Sequence, residues 1–502
     1  MYRRLAAVGI TSLVTVGVAA GPAAATDPPP DATPGAPGIG DPYYPLDGNG
    51  GYDVEHYALD LAYDPATDEL AGTATVTARA TQSLSRFNLD FLGFAIESVT
   101  VDGEGAGWSR QGGELTVLPA RALAQDGAFT TVVTYRGVPQ PLVDALGSTG
   151  FSHTDDGALV AGQPDSAATW FPANDHPLDA AAFDVRVTVP EGLEAVSNGV
   201  LAGQGSADGR STWHWRAEDP MAPYLVVLAI GEFDVRAYEV DGIAYWDALD
   251  PDLFTAGPPP LPVEPVPGEP VPGEPAPDVP TLGETAEASL ARQPEVIDFL
   301  SGVFGPYPFD TAGGIVDDAP DLRFALETQT RPVYASAFFG DPIRGDLVVV
   351  HELAHQWTGD SVRLAGWQHI WLNEGFATYA EWLWLEREGL VTAQEQFDFL
   401  MSDLVPADDP LWSVAPGDPG PALDQLFSPA VYVRGALTVH ALRLAVGDDA
   451  FSRILREWTA SQAGRAATTD DFVAVAERVS GQDLDALFRT WLFTAGKPGA
   501  VG

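Results

Sequence analysis

The chain has 502 residues, 45% of them hydrophobic, no cysteine, and 71 acidic against 25 basic side chains, for a formal charge of −46. The length allows two or three domains with substantial cores, and the apolar content excludes wholesale disorder. The charge excludes the basic footprint that nucleic-acid binding needs, and the absence of cysteine excludes a disulfide scaffold, a thiol nucleophile and a thiolate metal site, leaving His, Asp and Glu to hold any metal.

At the start of the chain, Arg3 and Arg4 precede an apolar run, Leu5 to Ala20, and the small residues Ala23 to Ala25. This pattern predicts a signal peptide over 1–25 and a secreted mature chain. No later stretch approaches ~20 apolar residues, so no membrane span is expected after signal removal. Residues 26–40 are Pro/Gly-rich and read as disordered. From Tyr52 the pattern alternates with period two. Strands are predicted at Val54 and His56–Leu61, Thr73–Thr81, Phe129–Tyr135, Phe183–Val189 and Tyr224–Ile230, with turns at Asp102-Gly103 and Asn198-Gly199. An antiparallel β domain is therefore expected over 41–245, and 246–256 opens a second domain.

Residues 257–283 are dense in proline and contain VPGEP twice, which reads as a spacer or inserted loop. Over 284–497 the periodicity becomes helical. Helices are predicted at Ala286–Phe304 with a kink at Pro294, then at Asp346–Trp357, Glu374–Glu388, Tyr432–Val446 and Asp470–Val479. Thr468 and Thr469 are cap candidates for the last, and Gly481 is its stop. The fold class is α+β multidomain, an N-terminal antiparallel β domain followed by a mainly helical one.

The chemistry concentrates in His351-Glu352-Leu353-Ala354-His355, inside a helical pattern. Positions i and i+4 share one helix face, so both imidazoles can reach one metal ion. Glu352, rotated by about 100°, can reach a water at that ion. Zinc needs a third protein ligand and an open position. Glu374, on the next predicted helix, supplies the carboxylate, and Glu381, seven residues on, shares its face and can orient a ligand imidazole.

These residues resemble the zinc aminopeptidases of the aminopeptidase N family. The likeness extends through His355-Gln356-Trp357-Thr358-Gly359-Asp360 and Asn373-Glu374-Gly375-Phe376-Ala377. It also covers Gly50-Gly51-Tyr52-Asp53-Val54-Glu55-His56-Tyr57, Trp170-Phe171-Pro172-Ala173-Asn174-Asp175-His176-Pro177 and Pro220-Met221-Ala222-Pro223-Tyr224-Leu225. Arg489 to Gly496 resembles the end of the family's catalytic domain. The resemblance implies a thermolysin-like catalytic domain holding one Zn2+ on His351, His355 and Glu374. It makes Phe324-Ala325-Leu326-Glu327-Thr328 the counterpart of the family's Gly-x-Met-Glu-Asn motif, with Phe324 and Thr328 departing from it. Glu327 then binds the substrate's free amine, and Ala325 lies along the substrate. Gln163 resembles the glutamine that helps hold the amine, and Tyr432 the tyrosine that stabilises the tetrahedral intermediate.

The chemistry implied is hydrolysis of the N-terminal residue from peptides with a free N-terminus. The nucleophile is a water whose pKa zinc lowers to about 7, with Glu352 as general base. A thermolysin-like endopeptidase would need neither Glu327 nor the β domain. A non-catalytic binding protein on this fold would not need Glu352 or Tyr432.

Overall fold

The computed structural model describes residues 16–17, 31–143, 147–255 and 280–499. The strand Tyr52–Asp64 alternates buried and outward-facing side chains along most of its length, as a period-two apolar pattern dictates. It lies inside an eight-stranded sheet, between Glu69–Ala80 and Ala181–Pro190, with Ala128–Gly137 and Arg210–Met221 beyond them. Its pairing with Ala181–Pro190 is parallel, while the other pairings in this sheet are antiparallel. A five-stranded sheet contains Ser148–His153, Ala158–Ala161 and Leu228–Gly231. The strand Ala158–Ala161 ends two residues before Gln163 and so delivers that side chain to the edge of the β domain.

Four expectations change here. Residues 26–40 were expected to be disordered, yet from Asp31 the segment is pinned to the β domain. Thr33 N donates to Ser83 O, Gly35 N to Arg86 O, and Ala36 O accepts from Gly50 N. Proline and glycine deny this stretch a regular element, but its remaining amides still find carbonyls. The boundary at 245/246 moves upstream. The hairpin Asp234–Val240/Ile243–Leu249 pairs in parallel with Thr311–Asp317 and so belongs to the sheet of the second domain. Tyr224–Ile230 is not one strand. Pro223 opens a 3-10 turn through Leu225, and pairing begins only at Leu228. The helix at Ala286–Phe304 is two helices, Leu282–Leu290 and Gln293–Phe304, broken at Ala291-Arg292 because Pro294 lacks an N–H and crowds the preceding turn.

The expected signal peptide falls outside the described residues except for Val16–Gly17. Residues 257–279 of the proline-rich segment also lie outside them. Its last residues do not extend the spacer: Thr281 caps the helix that starts at Leu282 with a capping box closed by Glu284.

The second domain packs its helices against a mixed sheet that ends on Val333–Ala335 and the edge strand Ala325–Leu326. The helix Pro342–His355 starts at the N-cap Asp341, whose carboxylate accepts from Arg344 N at 3.0 Å. It packs on Trp371–Arg387, which in turn packs on Gly435–Val446. Thr469–Ser480 carries the expected signals, a Thr468 cap and Gly481 in the left-handed region at φ 71°. Among the described residues no helix is long and apolar enough to cross a membrane.

The surplus of acids has a consequence for stability. Repulsion between surface carboxylates opposes compaction and is screened by salt, with a Debye length of about 10 Å at 0.1 M and about 3 Å at 1 M. The Tm is therefore expected to rise from low to molar sodium chloride, and a flat or falling Tm in thermal melts would remove the self-repulsion argument.

Candidate active site

Helix geometry alone brings the first two ligands together. His351 and His355 stand one turn apart on Pro342–His355, with ring centroids 4.8 Å apart. The neighbouring helix places Glu374 in its first turn, facing both rings. Glu374 Oε2 lies 3.3 Å from His351 Nε2 and 3.5 Å from His355 Nε2. Ligands bonded tetrahedrally at about 2.0–2.1 Å stand about 3.3–3.4 Å from one another, so these separations fit one zinc ion. The imidazole orientation fits as well. His355 Nδ1 donates to the Thr358 carbonyl at 3.0 Å, and His351 Nδ1 donates to Glu381 Oε1 at 2.6 Å. Both Nε2 lone pairs are thereby left for a metal.

The local charge asks for a cation. Glu327, Glu352 and Glu374 are buried, and Glu381 closes the group. Burial pushes the Glu352 carboxyl up to about 8, an effect that the imidazoles of His351 and His355 only partly offset. Burial also raises Glu374, but His355 and His351 outweigh it and hold the group down at about 2. Four carboxyl groups crowded around two imidazoles favour a bound dication.

Glu327 is held from three sides. Its Oε1 accepts from Gln163 Nε2 at 3.1 Å and from the Tyr224 hydroxyl at 3.0 Å, and its backbone carbonyl accepts from Gln356 Nε2 at 3.2 Å. Ligand atoms of Glu327, Glu352 and His355 lie within 4.8 Å of one another. The stretch that follows is locked to the β domain. Asn198 Nδ2 donates to Gln329 O, Gly199 N to Thr330 Oγ1, and the buried Arg331 guanidinium to Gly199 O. Thr330 takes φ 65°, and its amide donates to Gln356 Oε1 at 2.7 Å. The Asn198-Gly199 turn therefore does more than separate two strands: it clamps the segment that carries Glu327. Thr328, which stands where the family motif has asparagine, turns its hydroxyl inward to the Arg331 carbonyl.

Tyr432 lies in a π-helical turn, Ala430–Arg434, which leads into the helix Gly435–Val446. Such turns re-aim a side chain at functional sites. Its ring stacks on His351 at 6.0 Å, and burial together with the nearby carboxylates holds its hydroxyl well above the ordinary range. It remains a neutral donor. Ala325 lines the same cleft of about 420 Å³ with Gln163, Glu327, Glu352, Tyr432 and the three candidate ligands. An adjoining space of about 260 Å³ is walled by Thr149, Phe324, Leu326 and Phe427.

All nine residues singled out in the sequence thus meet in one cleft. Tyr224, Gln356, Asn198, Phe427 and Thr358 escaped functional assignment there. Each acts through fold contacts that no local spacing encodes, although Tyr224, Gln356 and Thr358 stood inside recognised segments.

Residues 53–225 match the family model for the Peptidase M1 N-terminal domain, and residues 343–491 that for the Peptidase family M1 domain. A crystal structure of an M1 zinc metallopeptidase from Deinococcus radiodurans is 30% identical with a TM-score of 0.75, covering 92% of this chain and 99% of that one. A mutant of it bound to a Tyr-Ser-Ala substrate superposes equally well, with a TM-score of 0.75. Among curated relatives, Aminopeptidase M1-C of Oryza sativa subsp. japonica is 26% identical over 65% of this chain and 36% of its own length. Aminopeptidase M1 of Arabidopsis thaliana is 24% identical over 77% and 42% respectively. The chain spans about two-fifths of the length of these curated relatives.

Proposed function

This chain belongs to peptidase family M1, and from that premise we propose that it is a zinc metalloaminopeptidase that removes the N-terminal residue from peptides. One observation carries the reading: a buried carboxylate, Glu327, faces the same cleft as the candidate zinc ligands, so an amine-binding group stands beside a hydrolytic one. An internal peptide segment brings no ammonium to satisfy Glu327, whereas a free N-terminus does.

His351, His355 and Glu374 would hold the zinc ion, which when bound supplies Lewis acidity and lowers the pKa of water to about 7. Glu327, oriented by Gln163 and Tyr224, pairs with the substrate ammonium and sets the scissile bond one residue in. The edge strand Ala325–Leu326 offers its open backbone to the extended substrate. Glu352 takes the proton of the attacking water and passes it to the leaving amine. The Tyr432 hydroxyl donates to the oxyanion as it forms, and Glu381 keeps the His351 ring in place. The space beside Phe324 and Phe427 receives the first side chain. The Arg3–Ala25 segment supports export of the mature enzyme, which N-terminal sequencing of protein from the culture medium tests.

Aminoacyl amides and their acetylated counterparts, assayed with and without chelator, test the assignment. Cleavage of free-amine substrates far faster than of the acetylated series, lost on chelation and restored by zinc, is expected. Equal cleavage of the acetylated series points instead to the endopeptidase. Tyr432→Phe should lower kcat by ~100-fold or more with little change in KM, because its hydroxyl meets charge present only in the transition state. Near-normal kcat would reduce Tyr432 to a packing residue.

A further inference from the structure

Basic side chains are scarce here, 25 against 71 acids, and most described guanidiniums are engaged by carboxylates or carbonyls. Two that line the catalytic cleft are not. Arg323 precedes the edge strand Ala325–Leu326, and Arg344 lies in the first turn of the helix that carries His351 and His355. Among the described residues neither guanidinium has an ion-pair or hydrogen-bond partner. Arg344 is nevertheless placed, its guanidinium carbon 4.9 Å from the centroid of the Phe338 ring, another wall of the cleft. The cleft therefore has two poles, carboxylates around Glu327 and the metal ligands, and guanidiniums at its rim.

A short peptide with free termini is itself dipolar, with an ammonium at one end and a carboxylate at the other. The spacing suits it. Arg344 precedes His351 by seven residues, so the two share a helix face with their Cα atoms about 10.5 Å apart along the axis. An extended peptide advances about 3.3–3.6 Å per residue. With the first residue fixed by Glu327, two further residues carry the terminal carboxylate about 7 Å past the scissile bond, and the arginine side chain spans the remainder. A planar guanidinium matches a carboxylate in a two-bond fork. Resting on the aminopeptidase reading above, we propose that Arg344 binds the C-terminal carboxylate of peptides about three residues long, so that this cleft selects short peptides with both termini free. Arg323 also lines the space beside Phe324 and Phe427 and so stands on the side of the first residue. The distant surface acids do not cancel this local positive pole, because salt screens them beyond about 10 Å at 0.1 M. Both arginines are exposed, so the selectivity is moderate.

The test compares kcat/KM for Tyr-Ala-Ala, its C-terminal amide, and the amide of Tyr-Ala-Glu. All three are measured in the same preparation of the zinc-loaded enzyme, so that ratios do not depend on the folded fraction. The free acid should exceed its amide by about tenfold at about 0.1 M salt, chiefly through KM, and molar salt should shrink the ratio. Arg344→Gln should bring the ratio towards one, Arg344→Lys should retain part of it, and Arg323→Gln should leave it near the parent value. A wild-type ratio near one, or a ratio that survives in Arg344→Gln, overturns the proposal while leaving the aminopeptidase standing. If the Tyr-Ala-Glu amide matches the free acid, Arg344 reads an acidic side chain and the terminal assignment fails. If no free-amine peptide is cleaved although zinc is bound, the aminopeptidase reading itself fails.

Discussion

Glu352→Gln is expected to retain zinc and lose nearly all turnover. The amide has the shape of the carboxylate but cannot accept a proton from water or return it to the leaving amine. General base catalysis of this kind contributes ~10²–10⁴-fold, so a fall in kcat of ~10³-fold is expected. The ligand set is untouched, since His351, His355 and Glu374 are fixed by Glu381, Thr358 and one another rather than by Glu352. Metal analysis should therefore return one zinc per chain for the variant as for the parent. Zinc added after chelation should restore the parent and not the variant. The sign of the pH dependence follows from the same group. A base must be deprotonated to act, so kcat/KM of the parent should be lost as pH falls through the Glu352 pKa. Burial pushes that pKa up and the imidazoles pull it down, and a bound dication adds to the downward pull. A variant turning over within tenfold of the parent would remove Glu352 from the base role.

Much of this site could be read before any fold was known, and the reason is local. His351 and His355 sit at i and i+4 on one helix, a spacing that survives any tertiary arrangement. Glu374 and Glu381 share the face of a second helix, so one helix–helix contact delivers both. The alternating strands of the β domain were legible for a similar reason, because period two marks a half-buried sheet wherever it lies. What escaped the sequence depends on contacts between distant segments. Tyr224 reaches Glu327 across 103 positions, and Asn198 clamps Gln329 across 131. The hairpin Asp234–Leu249 has the same texture as the strands before it, and only its pairing with Thr311–Asp317 moves it to the second domain. Residues 31–40 look disordered by composition, yet backbone bonds to one neighbouring strand and to the approach to another suffice to order them.

On the proposed aminopeptidase reading, Glu327→Ala should leave a weak and unselective peptidase. The parent carboxylate is 2% exposed, and its Oε1 takes two hydrogen bonds, from Gln163 and Tyr224. That arrangement fixes the group without neutralising it, which leaves the substrate ammonium to supply the opposing charge. Losing such a charged partner costs ~2–4 kcal/mol, or ~30–1000-fold in kcat/KM for free-amine peptides. Acetylated peptides never used the interaction, so their already slow cleavage should change far less and the gap between the two series should close. Both kcat and KM should suffer, since an unanchored amine lets the scissile bond drift from Glu352 and Tyr432. Stability distinguishes this loss from simple damage. A buried carboxylate is costly to the fold when no cation faces it, and burial raises the Glu327 pKa accordingly. The Tm of the variant is therefore expected to stay level or rise while activity falls. Glu327→Gln, which keeps the shape and most of the hydrogen bonding, should lose nearly as much activity, because the missing element is charge. If the glutamine variant kept the parent's preference for free amines, the ammonium would have to be recognised elsewhere in the cleft, and the exopeptidase mechanism drawn here would be wrong.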